Sequence, residues 1–153
     1  LEEGEAEAML LAAAGLDRLV EAGLGTAIGL DEMLPAPAQG AIGVDTRADD
    51  PAVRTLVTAI DHRPTHLAVR MERALLAALD GTCRSPVAAH ARFVDADRLR
   101  LDAEILSPDG RERHDATIEA AVADADSAAA ALARTLLGRA SPALRALFTG
   151  QPS

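Results

Sequence analysis

Arg98-Leu99-Arg100-Leu101-Asp102-Ala103-Glu104-Ile105 alternates charged and apolar residues without a break. Successive side chains of a strand point to opposite faces, so this pattern predicts a strand with one face buried and one in water. Upstream, Val87, Ala89, Ala91 and Phe93 alternate with Ala88, His90 and Arg92. Downstream, Ser107-Pro108-Asp109-Gly110 reads as a type I turn with Pro at its second position. His114, Ala116, Ile118 and Ala120 then lie on one side of a third strand. Three sequential strands with short turns make an antiparallel meander.

Helical spacing flanks the meander. Before it, Leu67, Met71, Leu75 and Ala78/Leu79 line one face, Arg70 and Arg73 lie on another, and Gly81 supplies a C-terminal stop. After it, Asp124, Asp126 and Ser127 open a helix whose Ala129, Leu132 and Leu136 can cover the sheet. Gly138 is read as its stop, and Ser141-Pro142 as the start of a short last helix through Leu144 and Leu147. The fold class is therefore α+β, with residues 61 to about 150 forming a complete small domain.

The first sixty residues do not read as complete. Ala8-Met9-Leu10-Leu11-Ala12-Ala13-Ala14, closed by Gly15, is expected to be a buried strand turning into a short helix with Leu16, Leu19 and Val20. Such a strand needs parallel partners, and none is evident. Gly23, Gly25, Gly29, Pro35 and Pro37 mark a linker. Gly40-Ala41-Ile42-Gly43-Val44-Asp45-Thr46 reads as a second strand. Asp50-Pro51 is a helix opening, followed by a stripe of Val53, Leu56, Val57 and Ile60 that Pro64 ends, with a new helix from about Thr65. Apolar edges left bare in such pieces predict self-association or disorder of the N-terminal residues.

Composition narrows the function. Net charge is −9 and aromatics are 1%, which excludes a basic, stacking surface for nucleic acid and disfavours an anionic membrane. All 15 basic residues are Arg, so lysine chemistry is absent from these residues. One cysteine forms no internal disulfide, and no apolar run reaches membrane-spanning length, so the expected compartment is the cytoplasm. The acidic start without Met does not resemble a signal peptide and suggests part of something longer.

Few constellations carry chemistry. His62 and His66 have zinc spacing, but Pro64 between them breaks the turn, and no metal site is expected. His90 and His114 are expected at a surface or rim. Among Asp45, Asp49 and Asp50, the last is better used as a helix cap. Gly23-x-Gly25 does not join a strand to a helix and fails the dinucleotide fingerprint. Cys83 remains. A lone cysteine is most often a small buried hydrophobe, yet Gly81 and Pro86 around it, at a helix-to-strand junction, point to a surface or cleft.

Leu11-Ala12-Ala13-Ala14-Gly15-Leu16-Asp17-Arg18-Leu19, Leu34-Pro35-Ala36-Pro37-Ala38-Gln39-Gly40-Ala41-Ile42-Gly43-Val44, and Glu72-Arg73-Ala74 followed by Gly81-Thr82-Cys83-Arg84-Ser85-Pro86 together resemble the porphobilinogen deaminase (hydroxymethylbilane synthase) family. The order and intervals agree over nearly the whole chain. Two departures stand out: Ala38 and Thr82 occupy positions that are usually Gly, and Thr82 restricts the backbone beside the cysteine.

The resemblance implies three domains, the first two like periplasmic binding proteins. Residues 1–33 would be the tail of domain 2 (strand and helix), 34–60 the linker and return strand and helix of domain 1, and 61–153 the cofactor-bearing α+β domain. It implies a transferase that joins four porphobilinogen molecules with loss of ammonia, on a dipyrromethane cofactor held by a thioether to Cys83. A soft sulfur suits capture of the electrophile left by ammonia loss, and a thioether resists hydrolysis during repeated elongation. Arg18 matches the family's cleft arginine, a substrate-binding role, and reads equally well as a helix-surface arginine. The catalytic aspartate of the family lies outside these residues, so these alone are expected to be inactive. A non-catalytic interaction domain that keeps the fold without the primer is the alternative.

Overall fold

A computed structural model describes residues 4–20 and 23–148. The chain divides into two compact units, Leu1–Met33 and Leu34–Ser153.

Among the described residues of the first unit, the regular element is α1 (Ala13–Leu19). Residues 8–12 form no strand, and Gly15 lies inside the helix, where a stop was expected. A strand needs a hydrogen-bonded neighbour, and the described residues supply none. With no capping side chain, no buried residue and Val20 closing it in the left-handed region (φ 60°), α1 is a minimal helix.

The second unit begins with a coil. The strand expected over residues 40–46 is absent, and Ile42 is 85% exposed. The helix α2 (Pro51–Thr58) starts as the sequence indicates: Asp50 Oδ1 accepts from Val53 N–H at 3.0 Å, with Pro51 in the first turn. It ends at Thr58, short of Pro64, and Pro64 belongs to the first turn of α3 (Arg63–Ala78). Proline is tolerated there because first-turn N–H groups have no intrahelical acceptor.

On α3, Met71, Leu75 and the adjoining Leu79 are buried and Leu67 packs beside them. The helix closes with a Schellman pair of bonds, Gly81 N–H to Leu76 O at 2.9 Å and Asp80 N–H to Ala77 O at 3.1 Å. The left-handed residue is Asp80 (φ 54°), one before the glycine expected to be the stop. A Cβ at Gly81 would sit 2.5 Å from Leu76 Cδ1, so a larger residue there would require the Leu76 side chain to shift.

The sheet is the expected meander, β1 (Val87–Phe93), β2 (Arg98–Leu106) and β3 (Arg113–Ala121) in the order β1-β2-β3. Leu101 stands between Ala91 and Ile118, and Ala103 between Ala89 and Ala116. These residues share one face, covered by α3 and by α4 (Ala125–Arg139) with its Ala129, Leu132, Ala133 and Leu136. Alanines on sheet and helix let the two layers approach closely in a core with almost no aromatics. The β2–β3 turn closes with Gly110 N–H to Ser107 O at 2.9 Å, Gly110 taking the left-handed φ of 69°.

Gly138 does not stop α4, which runs to Arg139. The chain leaves the helix at Ala140 because Ser141 caps α5 (Pro142–Arg145), accepting from Leu144 N–H at 3.1 Å. Leu144 and Phe148 return to the core. Among the described residues Phe148 is the largest fully buried side chain, while Leu147, expected in the last helix, lies beyond α5 and is 37% exposed.

Candidate functional site

The loop after α3 presents Cys83 as a free, exposed thiol. Ser85 N–H donates to Thr82 O at 3.0 Å, closing a turn in which Cys83 is the first central residue. Thr82 stiffens this turn from both sides: its N–H donates to Ser85 Oγ at 2.9 Å and its Oγ1 accepts from Arg84 N–H at 3.2 Å. Thr82 does not take a positive φ, so the β-branched residue carries no strain at this position. The other departure behaves differently. Ala38 sits in the left-handed region (φ 62°), where glycine is favoured, and bears that strain itself.

Arg18 lies exposed in the last turn of α1. Cys83 belongs to the second unit and Arg18 to the first.

The sequence reading quoted Glu72 only within the stretch Glu72-Arg73-Ala74 and gave it no role. It is 6% exposed on α3, and its carboxylate accepts from Ala38 N–H and from Ala91 N–H, each at 2.7 Å. The sequence offered one hint, a carboxylate next to Met71 and one heptad before Leu79 on the buried side of the helix.

Other polar groups are structural. His62 Nδ1 pairs with Thr65 Oγ1 at 2.8 Å and His66 Nδ1 with Asp61 at 3.0 Å, both on the wall of a groove of about 1050 Å³ between residues 38–44 and α3. Neither Cys83 nor Arg18 lines that groove. On the open face of the sheet, Asp102 accepts from Arg100 Nε at 3.0 Å, Thr117 Oγ1 at 2.6 Å and Arg92. Burial pushes the Asp102 carboxyl up, but the Arg100, Thr117 and Arg92 donors outweigh it and bring it from 3.8 to about 2.

Glu104, expected on the solvated side, is 6% exposed, with Arg113 Nη2 2.7 Å away. His114 is half-buried and its Nε2 lies 2.9 Å from Glu112 Oε1. Glu112 also accepts from Ser141 N–H and Ser141 Oγ, each at 2.7 Å, and these donors hold its carboxyl at about 2. His90 is half-buried with its Nδ1 sealed and unpaired among the described residues, so it is more than a rim residue.

Comparison with known proteins gives a consistent result. Residues 66–138 match the family model "porphobilinogen deaminase, C-terminal domain", which includes Cys83. Residues 1–55 match "porphobilinogen deaminase, dipyromethane cofactor binding domain", which includes Arg18. A porphobilinogen deaminase of Sphingopyxis alaskensis is 53% identical over 151 residues, 97% of this chain and 46% of that protein. Those of Nitrobacter hamburgensis and Nitrobacter winogradskyi are 44% and 45% identical over 148 residues, 96% of this chain and 46% of each relative. The chain thus spans about half the length of the curated relatives it matches.

Proposed function

The chain belongs to the porphobilinogen deaminase family, and from that premise we propose that it is the C-terminal portion of a hydroxymethylbilane synthase whose dipyrromethane primer is tethered through Cys83. The observation that carries the reading is the placement of the chain's one cysteine, exposed at the tip of a turn inside the region similar to the family's C-terminal domain. The loop fits the group: the thiol is accessible, the turn is closed by its own side chains, and the neighbouring positions impose no left-handed backbone.

When bound, the dipyrromethane supplies the pyrrole end to which successive porphobilinogen units are joined with release of ammonia. The task of Cys83 is a single alkylation that persists, and a thioether sulfur meets it because carbon–sulfur single bonds are not hydrolysed as esters are. Repeated condensation needs a general acid and base, a role that the resemblance assigns to an aspartate outside these residues. Arg18 would bind a carboxylate of the substrate, the role that a planar guanidinium fills best.

Residues 1–33 would then complete a second domain and residues 34–60 a first, both like periplasmic binding proteins, with residues 61–153 as the cofactor-bearing domain. The bare apolar side chains before residue 60 fit that division, since they await strands and helices supplied elsewhere. Among the described residues no helix is long and apolar enough to cross a membrane. A cytoplasmic protein, monomeric at full length and acting on porphobilinogen without nucleic acid, is the consistent reading; these residues by themselves would self-associate.

The test is bilane formation from porphobilinogen. This chain alone should give none. Mixed with the upstream half of the Sphingopyxis relative, it should give turnover that Cys83→Ser abolishes. Turnover that survives Cys83→Ser would overturn the assignment of the tether, and a mixture without turnover would favour the alternative, an interaction domain without a primer.

A further inference from the structure

Burying a carboxylate is costly unless its oxygens find strong donors. Both Glu72 oxygens find them in backbone amides from segments far apart in sequence: Oε1 takes Ala91 N–H on β1, and Oε2 takes Ala38 N–H in the connecting segment, each at 2.7 Å. A third bond completes the arrangement, Ala89 N–H to Pro35 O at 2.9 Å. The N–H groups of Ala89 and Ala91 both point off the edge of β1 that β2 does not occupy, so that edge is covered by a proline carbonyl and a carboxylate. Residues 34–38 are thereby a strap, fastened to β1 at Pro35 and to α3 at Ala38.

The elements joined in this way, α3 and β1, are the two stems of the loop that presents Cys83. We infer that Glu72 is a positioning residue: it clasps the strap across α3 and β1 and so fixes both stems of the Cys83 loop. The clasp stands on hydrogen-bond geometry and does not rest on what Cys83 carries. It also gives the left-handed turn at Ala38 a purpose, because that turn aims the Ala38 N–H at Glu72 Oε2.

Amide hydrogen exchange resolved by residue tests this on the native chain and on Glu72→Gln. In the native chain the amides of Ala38, Ala89 and Ala91 should be protected and open together, although one lies in coil and two on a sheet edge. Glutamine keeps one acceptor oxygen and turns an NH₂ towards the second amide. Exchange at Ala38 and Ala91 should then rise tenfold or more, with a several-fold rise at Ser85 in the loop. Ile118 on β3 and Leu136 on α4 should keep their native rates. An Ala38 amide that exchanges at the free-chain rate in the native protein overturns the clasp, whether or not the variant folds. So does an equal acceleration of every amide in Glu72→Gln.

Discussion

Residues before 61 and residues after it are built from similar proportions of apolar side chains, yet they use them in opposite ways. Among the described residues before 61 no side chain is buried, and Leu10, Val20, Ile42, Leu56 and Ile60 are all more than two-thirds exposed. After residue 60 a single core holds α3, the meander, α4 and Phe148, and among the described residues there only Val94 and Leu147 remain as exposed large hydrophobics. Hydrophobic residues stabilise a fold only where a partner surface removes them from water. The later region carries its own partner surface. The earlier one consists of elements that need another.

The largest effect that would break this contrast is in the core. Leu101→Ala, at the centre of the sheet, should cost about 3–4 kcal/mol in urea unfolding, while Ile42→Ala should change stability by less than about 0.5 kcal/mol. Comparable losses would mean that the first sixty residues share the core after all.

A smaller effect sharpens the contrast by pH. The Asp102 carboxyl is held near 2 in the folded chain, below its ordinary 3.8. A depressed folded-state value means that the stabilisation is complete above the unfolded value and is lost as pH falls from about 4 towards 2. The loss should be on the order of 1–2 kcal/mol. Glu112 adds to it in the same direction, because protonation weakens the bonds that Ser141 and His114 make to its carboxylate. Asp102→Asn should be less stable at neutral pH and show a shallower decline in this window, read from unfolding curves at pH 2.5 to 6. An unchanged decline would remove the Asp102 network as its cause.

The smallest predicted effect lies on the strap. Ala38→Gly relieves the left-handed backbone at φ 62° and should raise stability by about 0.5–1 kcal/mol after the entropy of the extra glycine is set against it. A destabilised Ala38→Gly would show that the strain is not carried there.

Much of the later region was legible because its signals are local. Alternation in β2 identified Leu99, Leu101, Ala103 and Ile105 as buried, and Ser141-Pro142 marked a capped helix. The exceptions follow from physics that the local pattern does not contain. Apolar runs at residues 8–14 and 40–46 look like strands, but strand formation depends on a neighbour that the described residues lack. Gly138 is an ordinary helical residue because the exit is set by the cap at Ser141. The role of Glu72 was not legible because its partners are backbone amides 34 and 19 residues away, which no side-chain pattern encodes. The exposure of Cys83 was readable from Gly81 and Pro86. The bond network that stiffens its turn, built by Thr82 and Ser85, was not.

The intact mass of this chain, purified after co-expression with the upstream half of the Sphingopyxis relative, tests the tether most directly. The account predicts a mass above that of the sequence by one dipyrromethane, lost in Cys83→Ser. A chain of unmodified mass, or an adduct that persists in Cys83→Ser, would contradict it.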